Sequence, residues 1–276
     1  MSGVVHELAK KGFGQGTNEL YDKARPSYQA NALSYIRQSV KAQPPLNIVE
    51  RVPIGAGTGI FTRALLAHPE WSTSIQKLSA LEPSAGMREV FAKSVSDERV
   101  TINEGFFDNT GVPDGQADLV VIAQAFHWCP DFDAASKEFS RILKPDGIVA
   151  LIWNLEDRDA AGWVGQLRDR IEAYEQGTPQ FRLGLWREAF NETYEKLFQP
   201  PVEKIWKYHL PGTLDIVTSR AFSKSYVAVQ PEDVKAEIKK DIQTIVERGD
   251  GKKWIDEANG VFEYPYRTYV IIMNRK

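Results

Sequence analysis

The chain has one cysteine, Cys129, in 276 residues. An intrachain disulfide is therefore excluded, and a reducing compartment is the expected setting. Strong charge of either sign is missing too. A formal net charge of −3 and a pI near 5.9 give no general attraction to phosphate backbones or anionic membranes. No basic stripe appears, so nucleic acid is not an expected partner. No apolar run approaches the roughly 20 residues of a membrane span. Charges interrupt the N-terminal MSGVVHELAKKGFGQG, so no targeting segment or membrane partner is expected. Internal repeats, low-complexity tracts and linker-like stretches are absent as well. The expectation is a single cytoplasmic domain over residues 1–276, monomeric or homodimeric, with no metal.

What is present is an ordinary globular composition, 42% hydrophobic and 26% charged. Short apolar, β-rich runs occur at 46–54, 76–82, 99–103, 117–123 and 147–153, with helical spacing between them at 58–68, 84–95 and 132–143. Strand alternating with helix predicts an α/β fold with a parallel sheet covered on both faces, and right-handed crossovers make it doubly wound. ADLVVIA and GIVALIW lack polar alternation, as strands buried on both faces should. Further on, 161–176 and 180–198 predict amphipathic helices, 202–209 and 267–273 later strands, and 213–248 a helical stretch ending at Gly249. Residues 157–200 read as a helical insertion.

The stretch RVPIGAGTGIFT, 51–62, holds three glycines, Gly55, Gly57 and Gly59, between a strand and a helix. Backbone N–H groups and the positive end of a helix face the carboxyl edge of the sheet at such a place, where ligands of open α/β sheets bind. A dinucleotide fingerprint needs glycine or alanine at the sixth position, where this chain has Ile60. Glu82 ends the second strand in LSALEPS, where a carboxylate can accept both hydroxyls of a ribose. The other reading of Glu82 is an exposed acid at a strand end.

GAGTG, LEPSAGM, PDGQADLVVIAQAFHW and SRILKPDGIVALIWN, preceded by YDKARPSYQ at 21–29, together resemble the class I S-adenosylmethionine-dependent methyltransferases. Within that class the chain is similar to the trans-aconitate methyltransferase-like group of type 11 methyltransferase domains, from about residue 13 to 273. The resemblance implies a Rossmann-like sheet of seven mostly parallel strands, the last antiparallel. It also implies S-adenosyl-L-methionine as cofactor, S-adenosyl-L-homocysteine as product, and methyl transfer to a small-molecule acceptor at a carboxylate or hydroxyl oxygen. By position, Gly55, Ala56, Gly57, Thr58 and Gly59 would flank the methionine part of the cofactor, Glu82 and Pro83 the ribose, and Met87, Phe107 and Asp108 the adenine. Phe107 reads equally well as plain core. Gln124, Ala125, Phe126, His127 and Trp128 would face the sulfonium and the acceptor. Tyr21 and Arg25 belong to a lid segment, residues 1–30, in which the arginine would meet a carboxylate of the cofactor or of an acidic acceptor. Trp153 and Asn154 would floor an acceptor pocket covered by the 157–200 insertion and expected to be mainly apolar and aromatic.

Family members usually read E-x-G-x-G-x-G, whereas Arg51, Val52, Pro53 and Ile54 separate Glu50 from Gly55 here. Deleting RVP would restore IVEIGAGTG, so these residues read as an insertion. Proline cannot donate to a sheet ladder, and the first strand should bulge or end early. Two alternatives follow: a methyltransferase fold that has lost methyl transfer and does other chemistry or only binds ligand, and an NAD(P)-dependent reductase, which Ile60 disfavours. A sulfonium methyl is already activated, so alignment and water exclusion are the main tasks, and orientation of this kind supplies on the order of 7–11 kcal/mol. His127, with an unperturbed pKa near ~6.5, is the candidate general base where a hydroxyl must lose its proton. The alternative is that Phe126, His127 and Trp128 form a packing cluster.

Overall fold

The apolar runs pair into one sheet. In the computed structural model, which describes residues 17–51 and 57–276, β1 (Leu46–Arg51), β2 (Ile75–Leu81), β3 (Val100–Asn103), β4 (Ala117–Ala123) and β5 (Leu143–Glu156) are mutually parallel. They are followed by β6 (Val202–Gly212), β7 (Trp254–Asp256) and β8 (Val261–Asn274), and the order is β3-β2-β1-β4-β5-β8-β6. β8 runs antiparallel to both neighbours, which gives the predicted seven-strand arrangement. The three-residue β7 pairs with β8 off this path and is an unforeseen eighth strand. All seven residues of β4 are buried, because helices cover both faces of the sheet there.

Strand order reverses between β1 and β4, and a crevice forms outside carboxyl ends at such a reversal. β1 stays in register with both neighbours as far as Arg51, opposite Leu81 and Ile122, so Glu50 lies within the ladder. Pro53, and with it the expected bulge, lies outside the described residues.

Around the sheet run α1 (Thr17–Ala24), α2 (Ala30–Ser39), α3 (Ile60–Ala67), α4 (Pro69–Ser72), α5 (Ala85–Ser94), α6 (Phe132–Ile142) and α7 (Gly162–Glu172), then α8 (Glu192–Leu197), α9 (Leu214–Phe222), α10 (Ser225–Ala228) and α11 (Glu232–Arg248). Two helical expectations need correction. The segment 180–198 is not one helix but two 3₁₀ turns, Phe181–Leu183 and Leu185–Ala189, followed by α8. Gly184 takes φ 73°, and Asn191 caps α8 by accepting from Thr193 N and Tyr194 N, so turn chemistry outweighs the apolar spacing. The stretch 213–248 breaks into three helices, interrupted after Phe222 and again before Pro231.

Residues 21–28 are firmly attached. Asp22 pairs with Arg63 at 2.7 Å, Arg220 Nε donates to Ala24 O at 3.0 Å, and Asn154 Nδ2 donates to Ser27 O at 3.1 Å. Tyr28 sets its ring edge to face against Phe61, with centroids 5.0 Å apart. These contacts lay residues 21–28 across the carboxyl ends of the strands. Among the described residues, no helix is long and apolar enough to cross a membrane.

Asp131 caps α6 by accepting from Ala134 N at 2.9 Å. Asp131→Ala should lower the unfolding free energy by about 0.5–2 kcal/mol, as read by urea titration, with the sheet's far-ultraviolet dichroism unchanged.

Candidate active site

The crevice has two sides. On the first, the turn Gly57–Gly59 leads into α3, and Gly59 takes φ 89°, a left-handed conformation that favours glycine. Glu82, fully buried just past the end of β2, accepts from Ser84 N at 2.7 Å. Its side chain lies against the turn so closely that a Cβ on Gly57 would stand 2.6 Å from Glu82 Cδ. Only glycine fits there. Glu50 is also fully buried, and Thr62 Oγ1 donates to it. Its other oxygen, and the hydroxyl of buried Thr58, find no hydrogen-bond partner among the described residues. Burial pushes the Glu50 pKa up to about 7, against the hydrogen bond from Thr62.

A glycine turn pressed on a carboxylate, with spare buried polar oxygens beside it, fits a ligand that brings hydroxyls and an amine. Gly55 and Ala56 lie outside the described residues. The carbonyls of Glu82 and Pro83 both accept from Arg88 Nη1, at 2.7 and 2.9 Å. Met87 and Phe107 are buried in different core clusters, and Asp108 is exposed on the Phe106–Asn109 turn. Phe107 meets Phe126 edge to face at 5.8 Å, as its reading as core requires.

On the second side, Gln124 follows β4 with φ 58°, a conformation that non-glycine residues seldom adopt. Its amide is locked there by two bonds to one backbone position: Nε2 donates to Asn154 O at 2.9 Å, and Asn154 N donates to Oε1 at 3.1 Å. Ala125 and Phe126 are fully buried as core, and Phe126–Trp128 form a 3₁₀ turn. Cys129 closes that turn, nearly buried, with Sγ donating to Asp131 O at 3.3 Å. A cavity of about 90 Å³ gathers Tyr21, Arg25, Gln124, His127, Trp128, Trp153 and Asn154, seven residues expected at the site. Trp153 stacks on Phe181 of the insertion at 4.6 Å.

His127 differs from the sequence expectation. Trp153 Nε1 donates to its Nδ1 at 3.2 Å, and desolvation lowers its pKa to about 3. It is neutral at cellular pH, and with Nδ1 accepting, its proton sits on Nε2. A histidine so depressed is a poor general base.

The expected apolar pocket is also corrected, because the inner wall is charged. Glu156, at the end of β5 and 5% exposed, pairs with Lys224 Nζ at 2.9 Å and lies 3.6 Å from Arg168 Nη1. Burial alone would raise its pKa; Lys224 and Arg168 outweigh that and hold it below the usual carboxylate range. Desolvation lowers Lys224 to about 8. Arg25 lies over the Tyr21 ring at 4.8 Å, donates to Ser223 O at 3.3 Å, and its buried Nε has no hydrogen-bond partner among the described residues. Sequence reasoning missed Glu156, Arg168 and Lys224. The available signal was Lys224 standing alone among small and apolar residues in AFSKSYVA.

A crevice at the strand-order reversal, with a glycine turn against an acid on one lip and an aromatic turn on the other, defines a Rossmann-like methyltransferase fold. Residues 52–151 match the methyltransferase domain family. A methyltransferase-like protein of Schizosaccharomyces pombe, itself uncharacterised, is 31% identical over 171 residues, and the match spans 62% of each chain. The YcgJ protein of Bacillus subtilis has a TM-score of 0.55 at 18% identity, over 90% of this chain and 99% of that one. A Haemonchus contortus phosphoethanolamine N-methyltransferase, solved with phosphomonomethylethanolamine and S-adenosylhomocysteine, gives 0.55 at 13% identity, over 98% of this chain and 60% of that one. In sequence over residues 52–151, and in fold over most of its length, the chain is similar to methyltransferases.

Two outcomes test this geometry. Gly57→Ala should weaken S-adenosylhomocysteine binding by on the order of 100-fold in calorimetry, since the new methyl displaces Glu82. The raised pKa of Glu50 destabilises the folded chain as pH climbs from the unfolded value near ~4.3 to about 7, and the penalty persists above that. Glu50→Gln should therefore be more stable than wild type at pH 8, by up to about 3 kcal/mol, with the gap closing by pH 4.5.

Proposed function

We propose that this chain transfers the methyl group of S-adenosylmethionine to an oxygen of a small-molecule acceptor, a carboxylate in preference to a hydroxyl. One observation carries the reading: the cavity that holds His127, Trp153 and Asn154 lies at the ends of β4 and β5, and the contact between Gly57 and Glu82 lies beyond the ends of β1 and β2, at the same carboxyl edge of the sheet. S-adenosylmethionine supplies an electrophilic methyl whose bond to sulfur breaks with the electron pair leaving on sulfur.

The chain's own residues bind, orient and exclude water. In this reading Glu82 accepts ribose hydroxyls and Arg25 meets a carboxylate. Gln124, pinned to the Asn154 backbone, fixes the distance between the ends of β4 and β5. His127 presents a neutral Nε2–H as a donor that orients an acceptor oxygen. A carboxylate needs no proton removed, whereas a hydroxyl would need a stronger base than a histidine with a pKa of about 3. The methyltransferase matches give no support to a reductase or to a fold without methyl transfer.

Titration with S-adenosylhomocysteine tests the cofactor: binding in the micromolar range is expected, and no heat up to millimolar ligand would overturn the reading. For His127, His127→Asn should lower kcat while leaving the pH profile's shape unchanged. An inflection near ~6.5 that disappears in this variant would make His127 the base after all.

A further inference from the structure

The cavity wall carries more positive than negative charge. Arg25, Arg168, Arg182 and Lys224 line it with Glu175. Behind them lie Glu156 and Glu172, and Arg220 stands close to Tyr264 and Tyr266. With Arg158, which lies 3.7 Å from Glu172 and pairs with Asp169 at 2.7 Å, six cations thus face four carboxylates in this cluster among the described residues. Arg182 is taken up by Glu172 and Glu175, and Arg168 is shared between Glu156 and Glu172. Glu156 therefore answers Lys224 alone at close range while also facing Arg168. Desolvated cations in excess of their partners are costly, and an anion entering the cavity would offset that cost.

We propose that Lys224, braced by Glu156, is the anchor for an anionic group of the acceptor, so that the site selects small carboxylic acids over their neutral amides. The proposal rests on the methyl-transfer reading for the identity of the site, and names its substrate class. Three observations carry it. Lys224 lines the same cavity as His127 and Trp153. It is only 7% exposed, so its charge is not a solvated surface charge. Its one short ion pair, at 2.9 Å to Glu156 Oε2, leaves an ammonium with three donors further hydrogen-bonding capacity. The stacked rings of Trp153 and Phe181 supply the flat apolar side of the same space, which suits an acid carrying a planar or short hydrocarbon body.

The test is calorimetric binding of succinate and phenylacetate against succinamide and phenylacetamide, with phenyl phosphate as a further arm. Each is measured with and without saturating S-adenosylhomocysteine. At least one acid should bind about tenfold or more tightly than its amide. Lys224→Gln should erase that preference, and Lys224→Arg should retain part of it, while the S-adenosylhomocysteine affinity stays within about twofold in both. Because Lys224→Gln exposes Glu156 to an altered balance, the double variant Lys224→Gln/Glu156→Gln removes both charges and should show the same loss. Equal affinity for acid and amide overturns the anchor, as does failure of every acid to bind below about 10 mM. So does binding of phenyl phosphate alone. If Lys224→Gln instead weakens S-adenosylhomocysteine tenfold, the lysine serves the cofactor's own carboxylate and the proposal fails. A chain that prefers acids in a Lys224-dependent way yet binds no S-adenosylhomocysteine would refute the methyl-transfer reading and leave the anchor standing.

Discussion

A carboxylate taken out of water must find cations, and Glu156 at the end of β5 sets that demand on everything around the cavity. It draws Lys224 from the junction of α9 and α10, and Arg168 from α7; Tyr266 from β8 comes within 3.5 Å. Three segments distant in sequence thereby converge on one strand end. Removing one partner of such a buried group typically costs about 3–5 kcal/mol, because the other charge is left uncompensated. The insertion and the helices after β6 are in this sense tied to the sheet by one charge, and the space they enclose is the cavity.

The sheet was legible in the sequence because its signal is local. ADLVVIA can be little else than a strand buried on both faces, and the alternation with helical spacing places it between β1 and β5. Residues adjacent to strand ends, such as Glu82, Gln124, His127 and Asn154, were legible for the same reason: once the strands are placed, so are they. The charged wall was not. Lys224 and Glu156 are 68 residues apart, and a lysine in a helical stretch reads by default as solvated. The helix expected over 180–198 failed because apolar spacing says nothing of Gly184's left-handed backbone. For His127 the sequence left a general base and a packing cluster both open, and desolvation beside Trp153, which lowers its pKa, favours the second.

The two sides of the crevice are fixed by different means. On the side of the glycine turn the constraint is steric: Gly57 has no side chain because Glu82 occupies that space. On the side of the aromatic turn it is conformational. Gln124 holds a left-handed backbone costing about 1–3 kcal/mol, and the paired bonds to Asn154 maintain it. Asn154 also reaches Ser27, and Thr268 Oγ1 donates to its side chain at 2.6 Å, so the N-terminal segment, β5 and β8 meet at one amide. Geometry at the ends of β4 and β5 is thus set by backbone and amide contacts, and charge is kept to the inner wall.

The single thiol of the chain sits at the hinge of this arrangement. Cys129 is bonded to Asp131 O between the turn that carries His127 and the first residues of α6, and it is 8% exposed. So little of it is presented that a maleimide or iodoacetamide should label it slowly, and with no second cysteine the labelling rate reports on this one position alone.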